Sequence, residues 1–294
     1  MIDILMPTIA QGLLWSIMAL GVYITFRVLD IADLTVEGSF PLGAAVAAAM
    51  LSEGYSVAAA FACAAVAGML AGIATGFLHT KLKIPALLAG ILTMIALYSV
   101  NLRVMGKANL SLLRVDTIFT EMQGWTALDN VYTVLAVGAI AALASIIFIY
   151  WFFGTEIGAA IRATGYNQQM IRAQGVDTRI TIILGLLISN ALVALSGALI
   201  AQNNGFADVG MGTGTIVIGL ASVIIGEVLF GTRSFKNCLI SVVLGSVVYR
   251  IVIAAVLQMG MPPNDLKLFT AILVAFALSL PLVKDKVGTR KAVK

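Results

Sequence analysis

Uninterrupted apolar runs dominate this sequence, and several are long enough to cross a hydrocarbon core as helices, which takes about 20 residues. In lipid every backbone amide must be satisfied internally, so only helices and closed barrels can span it. Barrel strands would alternate apolar and polar residues over about 10 positions, and no such segments occur. Of the 294 residues, 61% are hydrophobic and 11% charged, against about 25% charged in a soluble domain. The sequence therefore predicts an all-α, polytopic transmembrane helical bundle, a single domain over residues 1–294.

The runs place span 1 at Ile4–Phe26, span 3 at Ser56–Leu78, span 4 at Ile84–Met105 and span 5 at Val131–Phe153. Span 6 follows at Ile180–Ala201, span 7 at Thr215–Phe230, span 8 at Cys238–Leu257 and span 9 at Lys267–Val283. Between spans 1 and 3 the run Ala44–Leu51 is too short alone. Span 2 is therefore expected to be a broken helix, with Gly38, Pro41 and Gly43 at the break. This gives about nine crossings, between eight and ten. The first run is longer than a signal-peptide core and reads as a retained span.

Lys and Arg fix the expected orientation. With nine crossings and a cytoplasmic C-terminus, the cytoplasmic side holds Arg27, Lys81, Lys83, Arg162, Arg172, Arg179, Arg233, Lys236 and five tail residues, thirteen of the eighteen Lys/Arg. The localisation predicted is the bacterial cytoplasmic (inner) membrane, with the N-terminus outside. The net charge of +4 is spent on these loops and does not indicate nucleic acid. Two cysteines and one histidine indicate neither a disulfide framework nor a metal site. His79, beside Lys81 and Lys83, reads as an interfacial residue. A short internal echo, Ala32-Asp33-Leu34 and Ala207-Asp208-Val209, falls on opposite sides in this topology, as an inverted repeat would.

Burying ionisable groups in a membrane is costly, so those within spans are candidates for function. Glu37 reads as a pathway residue or a helix-start cap. Glu227 reads as solvated or loop-paired near the cytoplasmic end, and both glutamates are expected in the cytoplasmic half. Arg103 and Arg250 also lie within spans; Arg250 would snorkel outward or meet an acidic partner. Unwound backbone at membrane depth survives only against protein or a water-filled cavity. The glycine-rich entrances Leu34–Gly43 and Asn203–Thr215 are therefore the expected substrate pathway, with Thr35, Glu37, Ser39, Asn203, Asn204 and Thr213 lining it. Gly68, Gly72 and Gly76 form a groove on span 3, suited to internal packing or to a subunit contact.

The loop of residues 154–179 is polar, basic and amphipathic. Gly165 and Gly175 bracket a short helix capped by Asn167. Met170, Ile171 and Gln174 would project from it, with Arg162, Arg172 and Arg179 around it. Such a helix suits docking in a partner's groove or lying on lipid headgroups.

At this loop the sequence resembles a known family. The order Arg162-Ala-Thr-Gly165-Tyr-Asn167, then Arg172-Ala-Gln-Gly175-Val, is similar to permeases of ATP-binding-cassette importers of the branched-chain amino-acid and ribose family. The tryptophan/tyrosine-type permeases are closer still. Asp33-Leu-Thr-Val-Glu37-Gly-Ser-Phe, Asn190-Ala-Leu-Val-Ala-Leu-Ser-Gly, Gly219-Leu-Ala-Ser-Val-Ile-Ile-Gly-Glu227 and Pro262-Pro-Asn-Asp265 carry the match along nearly the whole chain. Relatives often have Pro at Ala32 and Asp at Glu37. The resemblance implies a permease subunit, most simply a homodimer, with two cytosolic ATPases and an extracytoplasmic binding protein. It implies that Asn167–Gly175 is the coupling helix, and that the substrate is an amino acid, aromatic in the closest case. No G-x-x-x-x-G-K-[ST] loop occurs, so ATP and Mg would be held by the partner, with no cofactor in this chain. No nucleophile–base pair suggests an enzyme. The alternative is an ion-coupled secondary transporter of a small solute, complete in one chain, with its carboxylates near the midplane.

Overall fold

The structure is a computed structural model that describes residues 2–126, 129–260, 265, 268–272 and 274–275. The chain opens with α1 (Ile2–Tyr23), which continues into a π-helical turn over Ile24–Val28. Next come α2 (Val36–Ser52), α3 (Val57–Thr80) and α4 (Ala86–Met105). β1 (Asn109–Ser111) and α5 (Ile118–Thr126) precede α6 (Asn130–Gly154). Two short helices, α7 (Glu156–Tyr166) and α8 (Gln168–Ala173), lead to α9 (Thr178–Asn204). β2 (Phe206–Asp208) and a 3-10 turn over Val209–Gly212 lead to α10 (Thr215–Phe230) and α11 (Phe235–Gln258).

Among the described residues seven helical stretches are long and apolar enough to cross a membrane, and α2 is a shorter apolar helix. Of the ninth expected span residues 268–272 and 274–275 are described, and they are helical; the basic tail and most of the Pro262 motif lie outside the described residues. Helix starts carry the side chains that satisfy free amides: Ser56 accepts from Ala59 N, Thr155 from Gly158 N, Asp177 from Arg179 N and Ser234 from Asn237 N.

The bundle is built around α1 and α9. The apolar window of α9 is 78% buried and that of α1 72%, against 28–33% for α3, α4 and α6, so the first two form the axis and the others present an outer face. The axis is pinned by hydroxyls crossing between helices: Ser189 Oγ donates to the Gly21 carbonyl at 2.7 Å and Ser196 Oγ to Leu14 at 2.9 Å. The span 3 groove receives α9. A Cβ at Gly68 or Gly72 would strike the Asn190 or Leu186 carbonyl, and one at Gly76 would press on Ile183. Of the two readings of this groove, internal packing and a subunit contact, the structure shows internal packing, because α9 fills it.

The break in span 2 is real but lies earlier than expected. Gly38, Pro41 and Gly43 all sit inside the continuous helix α2. The irregular stretch is Leu29–Thr35, which turns at Asp30 with φ +55. Proline in a helix interior normally costs about 3 kcal/mol, partly by removing the donor to the carbonyl four residues back. Here that carbonyl, on Glu37, is covered by Gly212, whose backbone also rests on the Pro41 ring. A glycine from a distant part of the chain thus shields the proline defect.

Candidate functional site

The entrance to α2 is held by a buried polar lattice. Asp33 is 2% exposed. Its Oδ1 accepts from Thr35 N and its Oδ2 from Asn190 Nδ2, both at 2.9 Å. Ser39 Oγ donates to Asn190 Oδ1 at 2.7 Å. Thr35 Oγ1 lies 2.6 Å from Thr75 Oγ1, which donates to Thr93 at 2.9 Å. Asn101 Nδ2 donates to the Gly38 carbonyl at 3.3 Å. The start of α2 is thereby tied to α3, α4 and α9, and an unpaired member of such a cluster would be costly. Gly90 lets α4 come close: a Cβ there would meet Leu34 N at 2.8 Å.

The entrance to α10 comes from the other end of the bundle. Gly205, at φ +75, ends α9, and β2 pairs antiparallel with β1. Asp208 Oδ1 accepts from Gly210 N at 2.7 Å, and its Oδ2 from Asn109 Nδ2 at 3.2 Å. Gly214, at φ +84, starts α10. Its N–H donates to Glu37 Oε1 at 3.0 Å. A carboxylate thus sits at the positive end of α10.

Two helix starts therefore meet inside the bundle. From the meeting point α2 runs toward the β1–β2 end. In contrast, α10 runs toward the basic end, where Glu227 pairs with Arg27, Nε to Oε1 at 2.9 Å. Asp33 and Asp208 each accept from the backbone amide two residues on. The faint sequence echo is thus matched by local geometry in two entrances of opposite direction. Of the two readings for Glu227, solvated or paired, the structure shows the pair with Arg27. Glu37, expected in the cytoplasmic half, is instead level with Ser39 and Asn190, near the middle of α9, because the break preceding α2 lifts its start into the bundle.

The expected pathway residues separate into three groups. Thr35 and Ser39 are fully buried, and their hydroxyls are taken up by Thr75 and Asn190. In this conformation both hydroxyls are enclosed by the lattice. Glu37 is half-buried at the meeting point, and Thr213 beside it is exposed. Asn203 and Asn204, part-buried and exposed, lie at the far end of α9. The residues missing from that set are Asp33, Thr75, Thr93, Asn101 and Asn190. Each is a polar residue in or beside an apolar run, and that isolation was the available signal.

The loop at the basic end is partly as expected. Asn167 Oδ1 accepts from Gln169 N and Met170 N, both at 3.0 Å, and Gly175 turns with φ +87. Gly165 does not bracket the helix. It lies inside α7, where its missing side chain admits the Val28 carbonyl. Ile171 is 4% exposed, so it anchors α8 to its own chain and is not a projecting tip. Met170 does project, at 45% exposed, and Tyr166, absent from the sequence reading, is 92% exposed. Arg172 Nε donates to Thr178 Oγ1 at 2.7 Å, and the Arg162 guanidinium lies 5.4 Å from the centre of the Phe235 ring.

The branched-chain amino acid transport system permease component model matches residues 4–278. The chain is 41% identical over 270 residues to the tyrosine transport system permease protein of Clostridioides difficile (strain R20291), covering 92% of this chain and 88% of that one. It is 35% identical over 281 residues to an uncharacterized protein of Rickettsia prowazekii (strain Madrid E), covering 94% and 97%. A solved structure of a metal-chelate-type ABC transporter in an inward-facing conformation aligns over 96% of this chain and 85% of that one. Its TM-score is 0.52 at 13% identity, a likeness of fold. With a family model spanning nearly its whole length and a helical bundle to match, the chain belongs to the permease-component family of branched-chain amino acid transport systems.

Proposed function

We propose that this permease subunit serves an ATP-driven importer of an amino acid, with an aromatic amino acid as the first candidate. The observation that carries the reading is the 41% identity along 92% of the chain to a permease named for tyrosine transport. The fold adds support, since two helix starts meeting within a bundle leave irregular backbone at membrane depth, a construction used where solutes pass. In this reading the chain lies in the bacterial inner membrane with its basic end in the cytosol. Two copies form the pathway, the meeting of α2 and α10 contributes to it, and an extracytoplasmic binding protein delivers the substrate.

ATP and Mg are held by a separate cytosolic ATPase that docks on α8 and its flanks. The exposed Met170 and Tyr166 supply apolar tips for that contact, with Arg162 and Arg172 on its rim. Truncating a buried interface anchor commonly costs about 2 kcal/mol or more, and a buried unpaired charge costs further desolvation. Met170→Asp and Tyr166→Asp should weaken ATPase co-purification while leaving the bundle intact. Arg172→Ala should have a smaller effect on docking.

The decisive test is uptake by proteoliposomes containing the permease together with the ATPase and the binding protein of its own system. Radiolabelled tyrosine should accumulate with ATP on the ATPase side and persist when ion gradients are collapsed. Uptake that follows an ion gradient and ignores ATP would overturn the reading.

A further inference from the structure

Among the described residues Arg250, on α11, carries a buried nitrogen with no acceptor. Ser246, one turn earlier on α11, donates to the Gly12 carbonyl at 2.9 Å. That bond registers α11 against α1 and brings the Arg250 guanidinium to 4.1 Å from the centre of the Trp15 ring. Trp15 in turn stacks on Phe40, with centroids 5.2 Å apart and planes at 28°. Arg250 Nε is buried with no hydrogen-bond acceptor. The ion pair found among the described residues, Arg27–Glu227, is at the basic end and does not involve it.

Arg250 lines a cavity of about 330 Å³, together with Tyr249 and Thr270. Val217, Ile218, Ile253 and Ala271 supply apolar wall, and Thr213 and Gly214 at the start of α10 line it too. The volume lies in the range of small-molecule pockets. The Trp15 face offsets part of the cost of a buried cation, but a ring accepts none of the guanidinium's directional N–H bonds. A planar guanidinium fork matches a carboxylate in two parallel hydrogen bonds.

We infer that this cavity, beside α10 and α11, is a carboxylate-binding site, with Arg250 as the carboxylate ligand and Trp15 as the platform that holds it. The inference deepens the importer reading and rests on it for its meaning: the ligand class is a small organic acid, an amino acid's carboxylate included. It also accounts for a guanidinium held at the depth where α10 begins.

The test uses the permease alone, so its outcome is separate from that of the uptake assay. The chain has three tryptophans. Trp125→Phe and Trp151→Phe, at positions 90% and 66% exposed, leave Trp15 as the sole indole reporter. The purified protein in phosphatidylcholine nanodiscs is titrated with 3-phenylpropionate and with its neutral amide. The acid should change Trp15 emission saturably, and the amide should bind at least about tenfold more weakly, the scale of one lost charge-assisted contact. Arg250→Gln should abolish the preference for the acid, and Arg250→Lys should retain part of it. If Arg250→Gln does not fold, Arg250→Lys decides: an undiminished acid affinity in that variant would count against a bidentate site. Equal binding of acid and amide, or no saturable response in the parent, overturns the inference. So does a Trp15 signal that follows phosphatidylglycerol content and ignores the acid, which would make Arg250 a lipid-headgroup anchor.

Discussion

The entrance to α2 and the entrance to α10 each begin with an Ala-Asp pair whose carboxylate accepts from the amide two residues on. The first carboxylate is 2% exposed and bonded to Asn190 at the heart of α9. The second is bonded to Asn109 near the surface, in a segment where Gly210 and Thr213 are exposed. Thr35, Ser39, Thr75, Thr93 and Asn101 surround the first with buried hydrogen bonds. The second is held by a short two-stranded ladder and by the Glu37–Gly214 contact. Buried polar networks rigidify what they hold, whereas hydrogen bonds open to water are replaced at little cost. On this ground we expect α2 to act as the fixed frame and the α10 entrance as the element that moves.

The strongest way to break that contrast is to empty the lattice. Asn190→Leu leaves Asp33 Oδ2 and the Ser39 hydroxyl without their partner, and should lower stability by about 3 kcal/mol or more. The measurement is thermal melting of the purified protein in detergent, and an unchanged midpoint would show that the lattice is not the frame. Gly43→Leu attacks the same frame through packing, because a Cβ there already strikes the Ala194 carbonyl. Overpacking of this kind typically costs about 1–3 kcal/mol, read in the same assay.

The matching change on the movable side should be milder. Asp208→Ala removes the partner of Gly210 N and should cost about 1 kcal/mol, as a lost helix cap does. Smaller again is Glu37→Gln, which keeps a hydrogen-bond acceptor for Gly214 N but removes the charge at the start of α10, worth about 0.3–1 kcal/mol. Its clearer readout is amide hydrogen exchange, which should quicken at the start of α10 and stay unchanged at Val36–Ser39. Cysteines give the contrast a chemical readout: Thr213→Cys should react with a water-soluble maleimide in the absence of nucleotide, and Thr35→Cys should be protected. Equal labelling of both would dissolve the distinction.

Much of this arrangement was legible in the chain. Spans 3, 4, 5 and 6 fall within a few residues of α3, α4, α6 and α9, because a run of apolar residues in lipid has only the helix available. The Asn167 cap was legible for a similar reason, since its side chain bonds to amides two and three residues away. The break in span 2 was located too late, because Gly38, Pro41 and Gly43 were read by propensity alone. Whether Pro41 ends a helix depended on Gly212, which the sequence places far away and the fold places against it. Ile171 was misread for the same kind of reason: a six-residue helix has too few turns for periodicity to show which side faces the protein.

What the sequence determined by itself is therefore whatever depends on local composition and on nearby chain: the helical bundle, its lengths, its caps and the gathering of basic loops at one end. What only the tertiary structure decided is which helices form the axis, where the chain breaks inside it and which polar groups are shared between helices. Asp33 and Asn190, Glu37 and Gly214, and Trp15 and Arg250 each join residues more than a hundred positions apart. Partners so distant in sequence leave no periodic trace, and a buried polar group is satisfied only by what the completed packing brings within hydrogen-bond reach.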